Sequence, residues 1–371
     1  MNETQENTRR VLFFIESLNG GGAQRVLANL THALVQRGYR VLVATNTALG
    51  SSYTLPSEVV ILNYREGCSV GFVSKFHVYR KSKTISNIRR IAKNNRPDII
   101  VSFMVSMNVD VLMSVIGLGI PVVCSEHTTM QRKLSTYASF GRSIVYKFAN
   151  AVTVLTRSDY RVWKHRIKNL VYMPNPSNPE PYLQMHCERE SIVLAAGRID
   201  DWRVKGLDNL LKAWGTICHD FPEWRLCIAG GGTQFSFDEL YHIANETKCK
   251  NVEFLGYRSD LNQVMASSSV FCLSSRNEGL PMVLIEAMGL GCCCVAFDCV
   301  TGPSEIITNR VSGILVKNQD VNELANALRE VMKDEELRNQ LSQNAPHAVQ
   351  KYSSERVLKR WLILFDKILN N

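Results

Sequence analysis

Two carboxylates bracket the stretch Ser274-Ser-Arg-Asn-Glu278-Gly-Leu-Pro281-Met-Val-Leu-Ile-Glu286-Ala-Met288. An apolar run at residues 270–273 precedes it and reads as a buried strand. Pro281 fits a first helical position, where its missing N–H costs nothing, and Gly289 and Gly291 mark the helix end. A strand, a polar loop and a helix start form an anion site, because unpaired backbone N–H groups and the positive dipole end converge there. Glu278 lies in the loop and Glu286 lies within the helix. Carboxylates would repel the anion itself, but they accept hydrogen bonds from hydroxyls attached to a phosphate ester, as in ribose or a sugar.

Other candidates stand at strand ends. Gly197-Arg198 and Lys205-Gly206 bracket a polar loop after the strand expected at 191–196. Arg198 can grip phosphate oxygens in a fork, and Lys205 adds a point charge. His127 follows the strand expected at 120–124, and Gly20-Gly21-Gly22 follows the one at 11–15. Open α/β sheets bind ligands at such strand ends. The glycine spacing is not G-x-G-x-x-G, so no nicotinamide cofactor is indicated. No nucleophilic side chain stands out.

The Glu278–Glu286 string, with Gly279-Leu280-Pro281 between the glutamates, resembles the signature of the retaining glycosyltransferases of family 4, which have a GT-B fold. Gly21 to Val26 is similar to that family's first loop, and Gly256-Tyr257-Arg258 to the loop bordering the nucleotide base. The resemblance implies a donor site of Gly21, Gly22, Arg198, Lys205, Gly256, Tyr257, Arg258, Glu278, Gly279, Leu280, Pro281 and Glu286. It assigns catalytic roles to His127, Arg198, Lys205 and Glu278. It implies transfer of a hexose or N-acetylhexosamine from a nucleoside diphosphate sugar, UDP-sugar favoured, to a glycan or lipid-linked saccharide in cell-surface polysaccharide synthesis. No D-x-D motif is present, so neither a metal site nor a cofactor is expected. Two alternatives remain open: a sugar-nucleotide epimerase of the same fold, which would need no acceptor, and a non-enzymatic basic membrane- or nucleic-acid-binding protein.

The elements that must position these residues repeat one plan. Apolar runs alternate with helix-period segments over 371 residues, which predicts an α/β chain of two doubly wound, Rossmann-like domains facing across a cleft. The first is expected at 1–173, closed by a strand at 151–155, and a proline-rich linker at 174–180. The second spans 181–353. In the resembled fold a last helix, 354–371, crosses back, with Trp361, Leu364 and Phe365 docking it. The cysteines read as reduced core thiols.

Charge is uneven. Residues 1–170 carry 23 Lys and Arg against 9 Asp and Glu. The segment Lys75 to Arg96 holds eight basic residues and no acidic one, with interleaved Phe76, Val78 and Tyr79. Lys133, Arg142 and Lys147, with Tyr137, Phe140 and Tyr146, continue the pattern. These features suggest an anionic membrane surface as a partner; no nucleic-acid motif is present. With no signal-peptide pattern and no membrane-spanning run, a cytoplasmic protein held peripherally on the inner membrane face is the expectation.

Overall fold

The computed structural model describes residues 9–19, 21–66, 75–130, 135–177 and 188–370, with residues 75–80 as backbone only. Gly20, the side chains of Lys75 to Arg80, Lys133 and linker residues 178–180 lie outside the described residues. The chain divides into two compact units, one of Met1–Pro176 with Ser354–Asn371 and one of Ser177–Ser353.

The first unit runs β1 (Arg10–Phe14), α1 (Gly22–Val35), β2 (Arg40–Thr45), β3 (Val60–Asn63), α2 (Lys75–Asn95), β4 (Ile99–Phe103), α3 (Val105–Val115), β5 (Val122–Ser125), α4 (Thr136–Ile144), β6 (Ala151–Val154), α5 (Arg157–Trp163) and β7 (Leu170–Tyr172). Its seven strands are parallel, in the order β3-β2-β1-β4-β5-β6-β7. Both sheet faces are covered, which is why β1 reads as an unbroken apolar run. Val11 and Phe13 enter one core and Leu12 and Phe14 the opposite one, following the period-two alternation of a strand.

The second unit runs β8 (Glu190–Ala196), α6 (Trp202–Lys205), α7 (Leu207–Gly215), β9 (Arg225–Ala229), α8 (Gln234–Glu246), β10 (Val252–Gly256), α9 (Leu261–Ser267), β11 (Ser268–Leu273), α10 (Met282–Gly289), β12 (Cys293–Asp298), α11 (Pro303–Ile306), β13 (Ile314–Lys317), α12 (Val321–Lys333) and α13 (Glu335–Val349). Its parallel sheet has the order β10-β9-β8-β11-β12-β13. The final helix, α14 (Ser354–Leu369), buries Val357, Leu358, Trp361, Leu364 and Phe365 in the core that holds Val11 and Phe13 of the first unit. Cys292, Cys293 and Cys294 are free, buried thiols at and within β12.

Three points differ from the sequence expectation. The strand at 151–155 does not close the first sheet, because β7 pairs beyond it. The strands β3, β7 and β13 are not among those expected; all three are short edge strands, and β3 buries none of its residues. Pro281 is the N-cap of α10, one residue before the helix.

In each sheet the strand order reverses at one place, between β1 and β4 and between β8 and β11. Loops leaving neighbouring strands in opposite senses open a crevice there.

Candidate functional site

The second unit's reversal point carries most of the expected donor residues. Gly197-Arg198 leaves β8, and residues 274–281 leave β11. Gly206, at φ 63°, joins α6 to α7, and a Cβ there would sit 1.9 Å from the Ser274 carbonyl oxygen. That close approach, reinforced by Ser274 Oγ donating to the Lys205 carbonyl at 3.0 Å, docks the α6–α7 junction against the β11 loop. Lys205 Nζ thereby meets Glu278 Oε1 at 2.8 Å, and Ser275 Oγ donates to the same oxygen at 2.7 Å. The Lys205 stem lies over Gly197, where a Cβ would be 3.2 Å from its Cγ.

The Gly279-Leu280-Pro281 segment is clamped from outside. Thr301 Oγ1 donates to the Glu278 carbonyl. Gly302, at φ 101°, leaves no room for a side chain: a Cβ would be 2.6 Å from Pro281 Cδ and 3.0 Å from the Gly279 carbonyl oxygen. Arg276 forms a two-pronged pair with Asp208 at 2.6 and 2.7 Å, fastening the loop to α7. The α10 N-terminus has no side-chain cap, and Glu286, its fifth residue, is 8% exposed.

The glycine loops of β8, β9 and β10 are laced side by side. Gly197 N–H donates to Ala229, Ile199 N–H to Gly231 and Gly230 N–H to Gly256, at 2.8–3.0 Å. Gly256 takes φ 65° and delivers Tyr257, 81% exposed, beside Gly231. Arg258 is already held two-pronged by Asp260. Arg198 is open to solvent and pairs with Asp201 at 3.4 Å.

The first unit presents its expected residues differently. Gly21, at φ 109°, is the N-cap of α1 and Gly22 its first residue, and nothing lies within 4 Å of a Cβ at Gly22. His127 follows β5 and stacks on Phe103 at 4.8 Å. Its Nε2 is 3.0 Å from Ser125 Oγ, which accepts from Thr153 Oγ1 at 2.9 Å. Desolvation pushes the imidazole down to about 3, so it is neutral at physiological pH. Beside it lies a buried polar network that sequence reasoning missed. Glu126 is fully buried, accepts from Tyr146 Oη at 2.6 Å and pairs with Arg142 at 3.3 Å. Asn108 Nδ2 donates to Tyr146 Oη and Ser102 Oγ to Asn108 Oδ1. Burial raises the Glu126 carboxyl.

This network corrects the surface role expected of Arg142 and Tyr146, which are 5% and 2% exposed. Part of α2's charge is also used internally. Lys81 pairs with Asp110, and Arg89 Nη1 donates to the Ser114 and Ile116 carbonyls at 2.8 Å. Phe140, Tyr137 and Lys147 do face solvent. Among the described residues no helix is long and apolar enough to cross a membrane, and no group of three or more His, Cys, Asp or Glu could hold a metal ion.

Comparison with known proteins points one way. Residues 185–348 match the family described as "Glycosyl transferases group 1", and residues 20–180 match "Glycosyltransferase Family 4". The chain is 28% identical over 365 residues, 97% of its length and 99% of the relative's, to a Campylobacter jejuni enzyme named as an alpha-1,4-N-acetyl-D-galactosaminyltransferase acting on a diphospho-undecaprenol-linked saccharide. It is 28% identical over 371 residues, covering 95% of this chain and 98% of that one, to the amylovoran biosynthesis glycosyltransferase AmsD of Erwinia amylovora. Among solved structures, sucrose-phosphate synthase from Thermosynechococcus elongatus aligns with a TM-score of 0.83 at 17% identity, over 98% of this chain and 99% of that one. The Anabaena protein HepE, solved with UDP, aligns at 0.78 and 18% identity, over 96% and 100%.

Proposed function

Because this chain belongs to the family 4 glycosyltransferases of GT-B fold, we propose that it moves a hexose or N-acetylhexosamine, with retention, from a UDP-sugar to a lipid-linked saccharide in polysaccharide assembly. The observation that carries the reading is the Lys205–Glu278 pair at the second unit's reversal point, next to the uncapped α10 N-terminus and Glu286. In this reading the α10 N–H groups, Lys205 and Arg198 stabilise the charge growing on the leaving diphosphate. Arg198 swings from its weak, exposed pairing with Asp201 to do so. Glu286 accepts from ribose hydroxyls and Glu278 from hydroxyls of the donor sugar, with Lys205 and Ser275 fixing its oxygen. Tyr257 borders the base. His127, neutral, positions the sugar at the reacting face. The acceptor hydroxyl attacks from the side of the departing phosphate, which takes its proton; no protein nucleophile and no metal is required. The names of the two bacterial relatives support a polysaccharide-building role.

The basic, aromatic first unit is proposed to hold the enzyme on an anionic membrane, where a lipid-linked acceptor resides. The test of the function is a product assay with UDP- and GDP-sugars, with and without an undecaprenyl-diphosphate saccharide. Transfer to the saccharide, with the α linkage retained, is expected from one UDP-sugar. An altered nucleotide-sugar formed without acceptor would assign the protein to epimerisation instead.

A further inference from the structure

The ends of β4, β5 and β6 hold a short chain of hydroxyls that leads to His127. Parallel pairing sets Phe103 beside Ser125 and Ser125 beside Thr153, so one residue from each strand stands in a row. His127 follows two residues beyond Ser125, and its imidazole packs back on this row. The ring lies on Phe103, with centroids 4.8 Å apart and planes 18° from parallel. Ser125 and Thr153 are each 1% exposed, so neither hydroxyl exchanges its partners for solvent.

The hydrogens in this chain can be counted. Thr153 Oγ1 donates to Ser125 Oγ at 2.9 Å. Ser125 Oγ has one proton of its own to give, and its remaining hydrogen-bond neighbour among the described residues is His127 Nε2, at 3.0 Å. Burial keeps the imidazole neutral, which leaves two arrangements of its single N–H. With the proton on Nε2, the ring donates to Ser125, the serine proton has no acceptor, and the lone pair of Nδ1 has no donor. With the proton on Nδ1, Ser125 donates to Nε2, and the one group left over is the Nδ1 N–H, which is buried without a partner. Each unmade bond to a buried polar group is costly, so the arrangement with one orphan is favoured over the arrangement with two.

We propose that Ser125 is a positioning residue: by donating to Nε2 it fixes His127 as the Nδ1–H tautomer and holds the ring against Phe103. Which ring nitrogen carries the proton is set by the bond that the other one makes. Held this way, the imidazole has no free lone pair, because Nε2 accepts from Ser125 and Nδ1 is protonated. His127 therefore orients the sugar without acting as a base, and the acceptor's proton leaves by another route, which the departing phosphate provides. That consequence rests on the glycosyltransferase reading; the tautomer does not.

The experiment uses the full chain with its eight histidines labelled with ¹⁵N in the imidazole, read by long-range ¹H–¹⁵N correlation at neutral pH. His127 is assigned by its absence from the His127→Gln spectrum. A pyrrole-like Nδ1 and a pyridine-like Nε2 are expected. Ser125→Ala should move His127 toward the Nε2–H tautomer and lower kcat about tenfold, the weight of one hydrogen bond, with UDP affinity unchanged. Ser125→Thr, which keeps the hydroxyl, should hold the tautomer and restore kcat. A serine that only supported the fold would leave the ring nitrogens as they were. An Nε2–H ring in the wild type overturns the proposal, whether or not the alanine variant folds. So does a Ser125→Ala protein whose tautomer or kcat matches the wild type. A wild type with the expected tautomer that consumes no UDP-sugar would remove the transferase reading and leave the bond from Ser125 to His127 standing.

Discussion

The strand ends of the two units are built in different ways. In the second unit the chemistry sits on adjoining loops pinned backbone to backbone, with Gly206, Gly230 and Gly302 permitting approaches that any Cβ would block. In the first unit, polar groups from different elements converge under the surface: Ser102, Asn108, Glu126, Arg142 and Tyr146 form a buried network next to His127. On the proposed function, the diphosphate would be gripped by rigid main chain and a few charges. The first unit's network is made of side chains instead, and it fixes the surroundings of His127 from beneath.

The largest effect that would sharpen this contrast is expected from the second unit's charges. Lys205→Ala and Arg198→Ala should each lower turnover by about two to three decades, as for other preorganised charge stabilisers. Steady-state kinetics in EDTA checks both that loss and the metal independence of the wild type; rescue by manganese or magnesium would show a missing cation. Next comes Gly206→Ala, which combines a strained φ with a clash on the Ser274 carbonyl. A loss of about 3 kcal/mol in unfolding free energy is expected from strain and overpacking together. Denaturant melts would read it, and an unchanged midpoint would mean the junction is softer than drawn.

In the first unit, His127→Gln should lower the rate uniformly between pH 5 and 8 without changing the profile's shape, since the imidazole is already neutral there. For stability the sign is set by linkage. With a folded value of about 3 against ~6.5 unfolded, only the unfolded chain takes up the proton between those values. Stability contributed by His127 is thus full above ~6.5 and lost as pH falls toward 3, and His127→Gln should move the acid-unfolding midpoint downward. Smallest is the membrane effect. Arg90→Glu, Lys93→Glu and Lys147→Glu together reverse exposed charges, and each basic residue near an anionic surface contributes ~1 kcal/mol. Sedimentation with anionic vesicles at low salt should show binding by the wild type and its loss in the triple variant. Lys81 and Arg89 are unsuitable for this purpose, because their charges hold α3 and Asp110 in place.

The same contrast explains what the sequence made legible. Glu278, Pro281 and Glu286 lie in one short segment, and Arg198 and Lys205 in another, so the family resemblance could be read from short strings, and the structure brings Lys205 and Glu278 together. Alternating apolar runs carried the paired sheets, apart from strands as short as β7. Glu126 is different. Its partners Arg142 and Tyr146 lie 16 and 20 residues away, and nothing in composition distinguishes a buried guanidinium from a solvated one.

The division of labour itself is tested most directly by calorimetric titration of UDP, in EDTA, into the wild type, Glu286→Ala and His127→Gln. The account predicts one saturable site, weakened by about 1.5–3 kcal/mol when Glu286 loses its carboxylate and untouched by His127→Gln, since UDP carries no sugar for the imidazole to position. Absence of UDP binding to the wild type, unchanged affinity in Glu286→Ala, or an equal loss in His127→Gln would contradict it.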